Sequence, residues 1–262
     1  MIKVWQVKIF ANFLSMFGYS FGKGLFQRGI FMSGSATAPW ALVNDANDMA
    51  FQVAKSNDCV SSSSGGGDSE EILNCLRDKP LNKILLAASR VQPSVVRSFR
   101  PIFGPSVDGV VIREHSGSGP HKRSDERPTY DILFGVSGLE SAHQLSESAI
   151  YHGLDATERD ILLQTFVAET YRFHQTEIFL TLINEYTDWE RTVQLPLSVR
   201  DSTIEALSDG QFVAPAISLG DSLASPDKAA YFYVIDPNAI QVISQFHFNI
   251  YSMMKFKNPT LK

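Results

Sequence analysis

The stretch Tyr130-Asp131-Ile132-Leu133-Phe134-Gly135-Val136, set between Pro128 and Gly138, decides the fold. It is too short for an ordinary helix and too uniformly apolar for a strand with one wet face, so it predicts a strand buried on both faces. Ala230-Tyr231-Phe232-Tyr233-Val234-Ile235 is a second run of this kind, and Ile30-Phe31-Met32 is a shorter one that leads into the small-residue turn Ser33-Gly34-Ser35. Between the two long runs, Ile161, Leu162, Phe166, Val167, Tyr171 and Ile178 recur near helical spacing and predict a helical region over about 158–186. A further helix is predicted from about Ser202 through Leu207, limited by Pro215. Buried strands separated by helices belong to an α/β protein, with a mostly parallel sheet covered by helices on both faces.

Asp68 followed by Glu71 has the spacing of a capping box and predicts a helix through Ile72, Leu73 and Leu76 that ends by Pro80. Leu81 to Leu86 predicts the next helix. Phe103 to Gly109 is turn-rich, and the polar stretch His115 to Pro128 predicts a surface loop. Low complexity is confined to the runs Ser61–Ser64 and Gly65–Gly67. They lie between Cys59 and Cys75, and the residues alone leave open a disulfide in an oxidising compartment or two free thiols. Near the start, Lys3 and Lys8 precede the apolar stretch Ile9 to Phe17 and the small-residue exit Gly18-Tyr19-Ser20. That pattern is open between a short signal-peptide core and a buried helix or strand.

Composition narrows the function classes. The chain has 262 residues, of which 44% are hydrophobic and 19% charged, which is the balance of a globular protein rather than a disordered one. Its formal charge is −5, and Lys122-Arg123 is the one short basic cluster, so the long cationic surface that a nucleic-acid backbone requires is missing. No apolar run reaches the about eighteen residues needed to span a bilayer.

Motifs with chemical meaning are few. Gly18-Tyr19-Ser20-Phe21-Gly22 matches the G-x-S-x-G of a nucleophile elbow, but Lys23-Gly24 follows where an elbow requires a helix. A chance match in a junction is the competing reading. Glu140 stands just beyond the strand ending near Val136, where open α/β sheets place their functional groups, and is equally readable as an ordinary loop carboxylate. His143, His152 and His174 lack metal-ligand spacing, and His247 has the chain order of a triad base but sits in an unusual apolar tail. No glycine loop for a nucleotide, no HExxH and no Cys-x-x-Cys is present, so neither a cofactor nor a metal is expected.

Several phrases in order resemble the cholinesterase-like carboxylesterases of the α/β-hydrolase fold. They are Gly24-Leu25-Phe26-Gln27-Arg28-Gly29-Ile30, Met32-Ser33-Gly34-Ser35-Ala36, Pro39-Trp40-Ala41-Leu42, Cys75-Leu76-Arg77, Phe103 to Gly109, Asp131 to Val136, Tyr186-Thr187-Asp188-Trp189-Glu190, Phe212-Val213-Ala214-Pro215 and Tyr231-Phe232-Tyr233. The resemblance covers about residues 24–236, with an atypical segment at 1–23 and an atypical tail at 237–262. Within the family, the Gly24, Tyr186 and Asp209-to-Pro215 phrases are most similar to neuroligins.

The resemblance implies a fragment of an α/β-hydrolase fold, a disulfide between Cys59 and Cys75, and Glu140 at the position of the triad acid. The family's elbow lies upstream of Leu25, and its His-Gly motif follows Asp236; neither is matched in this chain. A carboxylate without nucleophile, base or oxyanion donors cannot carry out acyl transfer, which implies a non-catalytic protein. Neuroligins are synaptic, membrane-anchored adhesion proteins facing the extracellular space, so the implied partner is a neurexin-like extracellular protein. The matching surface positions are Gly138, Glu140, Ala142 and His143, of which Ala142 and His143 differ from the usual contact residues. Dimerisation through a helix ending at Tyr186 is also implied, with Leu182, Asn184 and Glu185 at the positions of bundle contacts. A different class remains open: a fragment of a serine carboxylesterase whose nucleophile and base lie outside this chain. Without the family's N-terminal strands, the sheet is expected to present an uncovered edge that favours aggregation.

Overall fold

The computed structural model describes residues 2–6, 27–43, 45–60, 68–91, 99–108, 112, 131–223, 230–235 and 254–255. The Gly18–Gly22 match, the apolar stretch Ile9 to Phe17, the Ser/Gly runs, the loop His115 to Pro128 and His247 lie outside the described residues. Two compact units are formed, one from residues 1–42 and 107–262, the other from residues 43–106.

The larger unit is built on a sheet in the order β1 (Ile2–Gln6), β2 (Arg28–Met32), β3 (Asp131–Ser137), β4 (Ala230–Ile235) and β5 (Met254–Lys255). The first four strands are parallel, and β5 pairs antiparallel to β4. β1 pairs with β2 along five residues, from Ile2 opposite Arg28 to Gln6 opposite Met32. β2 is thereby flanked by β1 and β3, and among the described residues the outermost strand on that side is β1.

Alternation along β3 turns Ile132, Phe134 and Val136 to one face, each 2% exposed, and they pack with Phe31, Phe232, Phe212, Ala216 and Leu219. Complete burial of one such aromatic side chain contributes roughly 2–3 kcal/mol. The opposite face is closed differently. Gly135 is paired with Tyr233, and a Cβ at Gly135 would meet the Tyr233 carbonyl oxygen at 2.1 Å, so only glycine allows the ring to lie across that site.

The helices of this unit are α4 (Glu147–His152), α5 (Ala156–Thr170), α6 (Gln175–Glu185), α7 (Pro196–Ser208) and α8 (Ala214–Leu223). A capping box starts α5: the Asp155 carboxylate accepts from the Glu158 N–H at 2.8 Å, and Glu158 accepts from the Asp155 N–H at 3.0 Å. The long helical region expected over 158–186 is two helices. α5 closes at Tyr171, whose N–H reaches the Val167 carbonyl, and His174 then takes a left-handed backbone with φ 56° before α6 begins. No glycine or proline marks this break, which is why apolar periodicity runs through it.

The second predicted helix also differs. It begins at Pro196, where proline's fixed φ suits the first helical position, rather than near Ser202. Nor does Pro215 end the helical path. The backbone widens into a π turn, Asp209–Val213, and continues as α8. Proline has no N–H for the carbonyl four residues earlier, and that carbonyl, on Gln211, accepts from the Trp40 indole N–H at 3.1 Å instead. The Pro215 carbonyl accepts from the Ser35 and Thr37 hydroxyls, each at 2.9 Å.

The smaller unit holds α1 (Ala46–Ser56), α2 (Ser69–Arg77) and α3 (Leu81–Arg90). Its core is Met49, Val53, Ala87 and Val91, with Leu76, Ile84, Ala88 and Ile102 packed against them. Its two ends meet where the Val43 N–H donates to the Pro105 carbonyl at 2.8 Å. Asp68 caps α2 as expected, although its carboxylate accepts from the Glu70 N–H.

Candidate functional site

In a parallel sheet all carboxyl ends point the same way, and that edge is where open α/β folds bind their ligands. Two of these ends are joined by the candidate residues. Beyond β2, Ser33 adopts a left-handed φ of 57°, and its N–H donates to the Gly135 carbonyl at 2.7 Å. Its hydroxyl donates to Glu140 Oε1, which also accepts from the Ser137 N–H at 2.7 Å. One carboxylate oxygen thus ties the end of β2 to the turn after β3, across 107 positions of sequence.

The segment after β3 is held from below. The Gly138 N–H donates to the Ile235 carbonyl at 3.0 Å, at the end of β4. Residues Glu140–Gln144 then form a single 3-10 turn. Ser141 is fully buried; its N–H donates to the Ser208 hydroxyl at 3.0 Å, and its own hydroxyl accepts from Gln211 Nε2 at 3.0 Å. Gln144 and Gln211 exchange amide hydrogen bonds of 2.8 and 3.0 Å. The π turn is what turns Gln211, 1% exposed, into this network. Buried polar groups in such a network are costly to leave unpaired, so the 3-10 turn is held in one arrangement.

Gly138, Glu140, Ala142 and His143 therefore share one short segment. Gly138, Leu139 and His143 are exposed, while Glu140 and Ala142 are half-buried. His143 Nδ1 pairs with the Glu140 main-chain oxygen at 2.9 Å, not with its carboxylate. His152 Nδ1 pairs with the Ser148 carbonyl at 3.1 Å, and His174 stands exposed beside Glu177. Tyr233 lies near Glu140; burial first, and the Glu140 charge second, push its phenol up to about 12, so it stays neutral and its hydroxyl faces the Phe31 carbonyl at 3.4 Å. The arrangement can hold a rigid, partly apolar rim. The sequence marks Ser33 and Gln211 only as members of family-like phrases and does not mark Ser137, since only the pairing of distant segments gives the three a role.

The dimer-helix candidates fall on the last turn of α6. Leu182 is half-buried, Asn184 and Glu185 are exposed, and the Asn184 carbonyl accepts from the Trp189 indole at 3.0 Å. No residue of α6 is buried. Just beyond, the Tyr186 hydroxyl donates to Asp209 Oδ2 at 2.7 Å, joining two of the phrases that carry the resemblance. Burial, then that bond and the charges of Asp209, Glu205 and Glu185, raise the Tyr186 phenol far above its usual range. Cys59 and Cys75 are joined in a disulfide, which decides between the two readings left open by their spacing.

The family model described as "Carboxylesterase family" matches residues 10–254. Neuroligin-1 of Caenorhabditis elegans is 31% identical over 207 residues, which cover 75% of this chain and 25% of that protein. Neuroligin-2 of Homo sapiens is 30% identical over 216 residues, covering 80% of this chain and 24% of the relative. Cholinesterase 2 of Branchiostoma lanceolatum is 30% identical over 216 residues, covering 78% and 58%. The chain thus spans about a quarter of the length of the neuroligins it matches.

Proposed function

The chain belongs to the carboxylesterase family, and from that premise we propose that it is a neuroligin-like, non-catalytic adhesion segment that binds a neurexin-like extracellular protein. The observation that carries this reading is the use of Glu140. Its Oε1 is engaged by the Ser33 hydroxyl and the Ser137 N–H, so the carboxylate at the family's acid position acts as a tie that stiffens the segment after β3. A stiff segment with a buried base at Ser141 and exposed Gly138, Leu139 and His143 meets a partner with little loss of conformational freedom. The disulfide suits an oxidising compartment, in keeping with the extracellular face of a synaptic plasma membrane. α6, with no buried residue and Leu180 57% exposed, supports a homodimer in which Leu182, Asn184 and Glu185 face a second copy.

Titration of the secreted chain over an immobilised neurexin ectodomain tests the partner. Saturable binding is expected, weakened about tenfold in His143→Glu by a buried unpaired charge, with the melting temperature unchanged. A folded, monodisperse protein that gives no saturable signal would sink the proposal. The other class, a carboxylesterase fragment, predicts serine-dependent turnover of p-nitrophenyl acetate when the chain is part of a longer protein.

A further inference from the structure

Within residues 43–106 a cavity of about 310 Å3 opens between the end of α1 and the face of α3. Lys79, Lys83 and Arg90 line it on one side, with Ser56, Asn57 and Asp58 on the other. Lys83 and Arg90 are seven residues apart on α3, close to two full turns, so they point the same way at Cα positions about 10 Å apart along the axis. Buried Ala87 and half-exposed Leu86 complete the lining between them.

Three positive charges face one carboxylate here, and none of the three enters a side-chain ion pair or hydrogen bond among the described residues. The end of α1 does not need them. Its carbonyls are closed by the chain itself: the Asn57 and Cys59 N–H groups reach the Ala54 oxygen, and the Asp58 N–H reaches that of Lys55. Lys83 lies at the amino end of α3, where its N–H donates to Asn82 Oδ1 at 2.9 Å, and Arg90 lies at the carboxyl end. An anion placed between these cations would be attracted to all three. The planar fork of arginine and the point charges of two lysines suit a tetrahedral oxyanion.

We propose that this cleft binds a sulfate or phosphate group carried by a ligand, with Arg90, Lys83 and Lys79 as its cationic contacts. This site is independent of the adhesion reading, and so is its test. Calorimetric titration of the intact chain, at an ionic strength of about 0.15 M, uses sucrose octasulfate in one arm and inositol hexakisphosphate in the other. Binding of at least one probe is expected. The arm with the higher affinity identifies the group, and equal affinity assigns the oxyanion class as a whole. The double variant Lys83→Gln with Arg90→Gln is expected to weaken binding about tenfold. The charge-matched pair Lys55→Gln with Arg77→Gln, exposed and outside the cleft, is expected to change it less than about twofold. All three proteins should melt alike, since the four side chains are exposed. Failure of both probes to bind, or equal loss in both double variants, would overturn the proposal.

Discussion

Strand β3 and helix α6 are both rich in large apolar side chains, and the molecule uses them in opposite ways. β3 carries Ile132, Leu133, Phe134 and Val136, three of them 2% exposed, whereas α6 carries Ile178, Phe179, Leu180, Leu182 and Ile183, none of them buried. A strand flanked on both sides by parallel neighbours can have both faces covered. A helix at the margin of the fold has a neighbour along one stripe only, here Ile178, Phe179, Leu182 and Ile183, which are half-buried, while Leu180 is 57% exposed. Apolar content therefore says little about stability until the surroundings are known. In β3 it holds the fold, and in α6 it offers a surface.

The contrast can be broken by substitution. Phe134→Ala should lower stability by about 3–5 kcal/mol in denaturant unfolding, because it empties a site shared with Phe232, whose ring centroid lies 5.3 Å away. Leu180→Ala should stay within about 0.5 kcal/mol of the parent. Equal losses for the two would mean that α6 is part of the core. Next in size, replacing Cys59 and Cys75 together by serine should cost about 3 kcal/mol, read as a lower melting temperature of the unit formed by residues 43–106.

Trp40→Phe keeps most of the ring's packing but strips the Gln211 carbonyl of its donor, so a loss of about 1–2 kcal/mol is expected. A neutral result would show that the carbonyl finds another partner. A pH series sharpens the picture at the sheet edge. The Tyr233 phenol is raised from 10 to about 12, so its contribution is complete below pH 10 and is lost as pH rises towards 12. Tyr233→Phe should therefore flatten part of the alkaline fall in stability. Last, on the proposed homodimer through α6, Leu180→Arg should leave the melting curve almost unmoved while shifting sedimentation towards monomer. A dimer that survives this change would remove α6 from its interface.

Much of the fold was legible. β2, β3 and β4 were foreseen because buried strands are short, continuous apolar runs, and α2 and α3 because Asp68 and Pro80 punctuate them. The break between α5 and α6 was not, since Arg172, Phe173 and His174 carry no breaking residue and the left-handed turn at His174 is a local choice with no sequence mark. Pro215 misled in the other direction. A proline removes a helical hydrogen bond and so predicts a stop, yet the donor that replaces it comes from Trp40, 171 positions away.

The amino-acid sequence by itself determined the α/β class, the family likeness and the place of Glu140 beyond a strand, because those depend on residues close together in the chain. Only the tertiary structure decided which groups bind Glu140, that Ser141 is locked by Gln211, and that Lys79, Lys83 and Arg90 face a common cleft. The physical reason is one of range. Periodicity and capping act over a few residues, whereas a hydroxyl meeting a carboxylate 107 positions away depends on which strands pair.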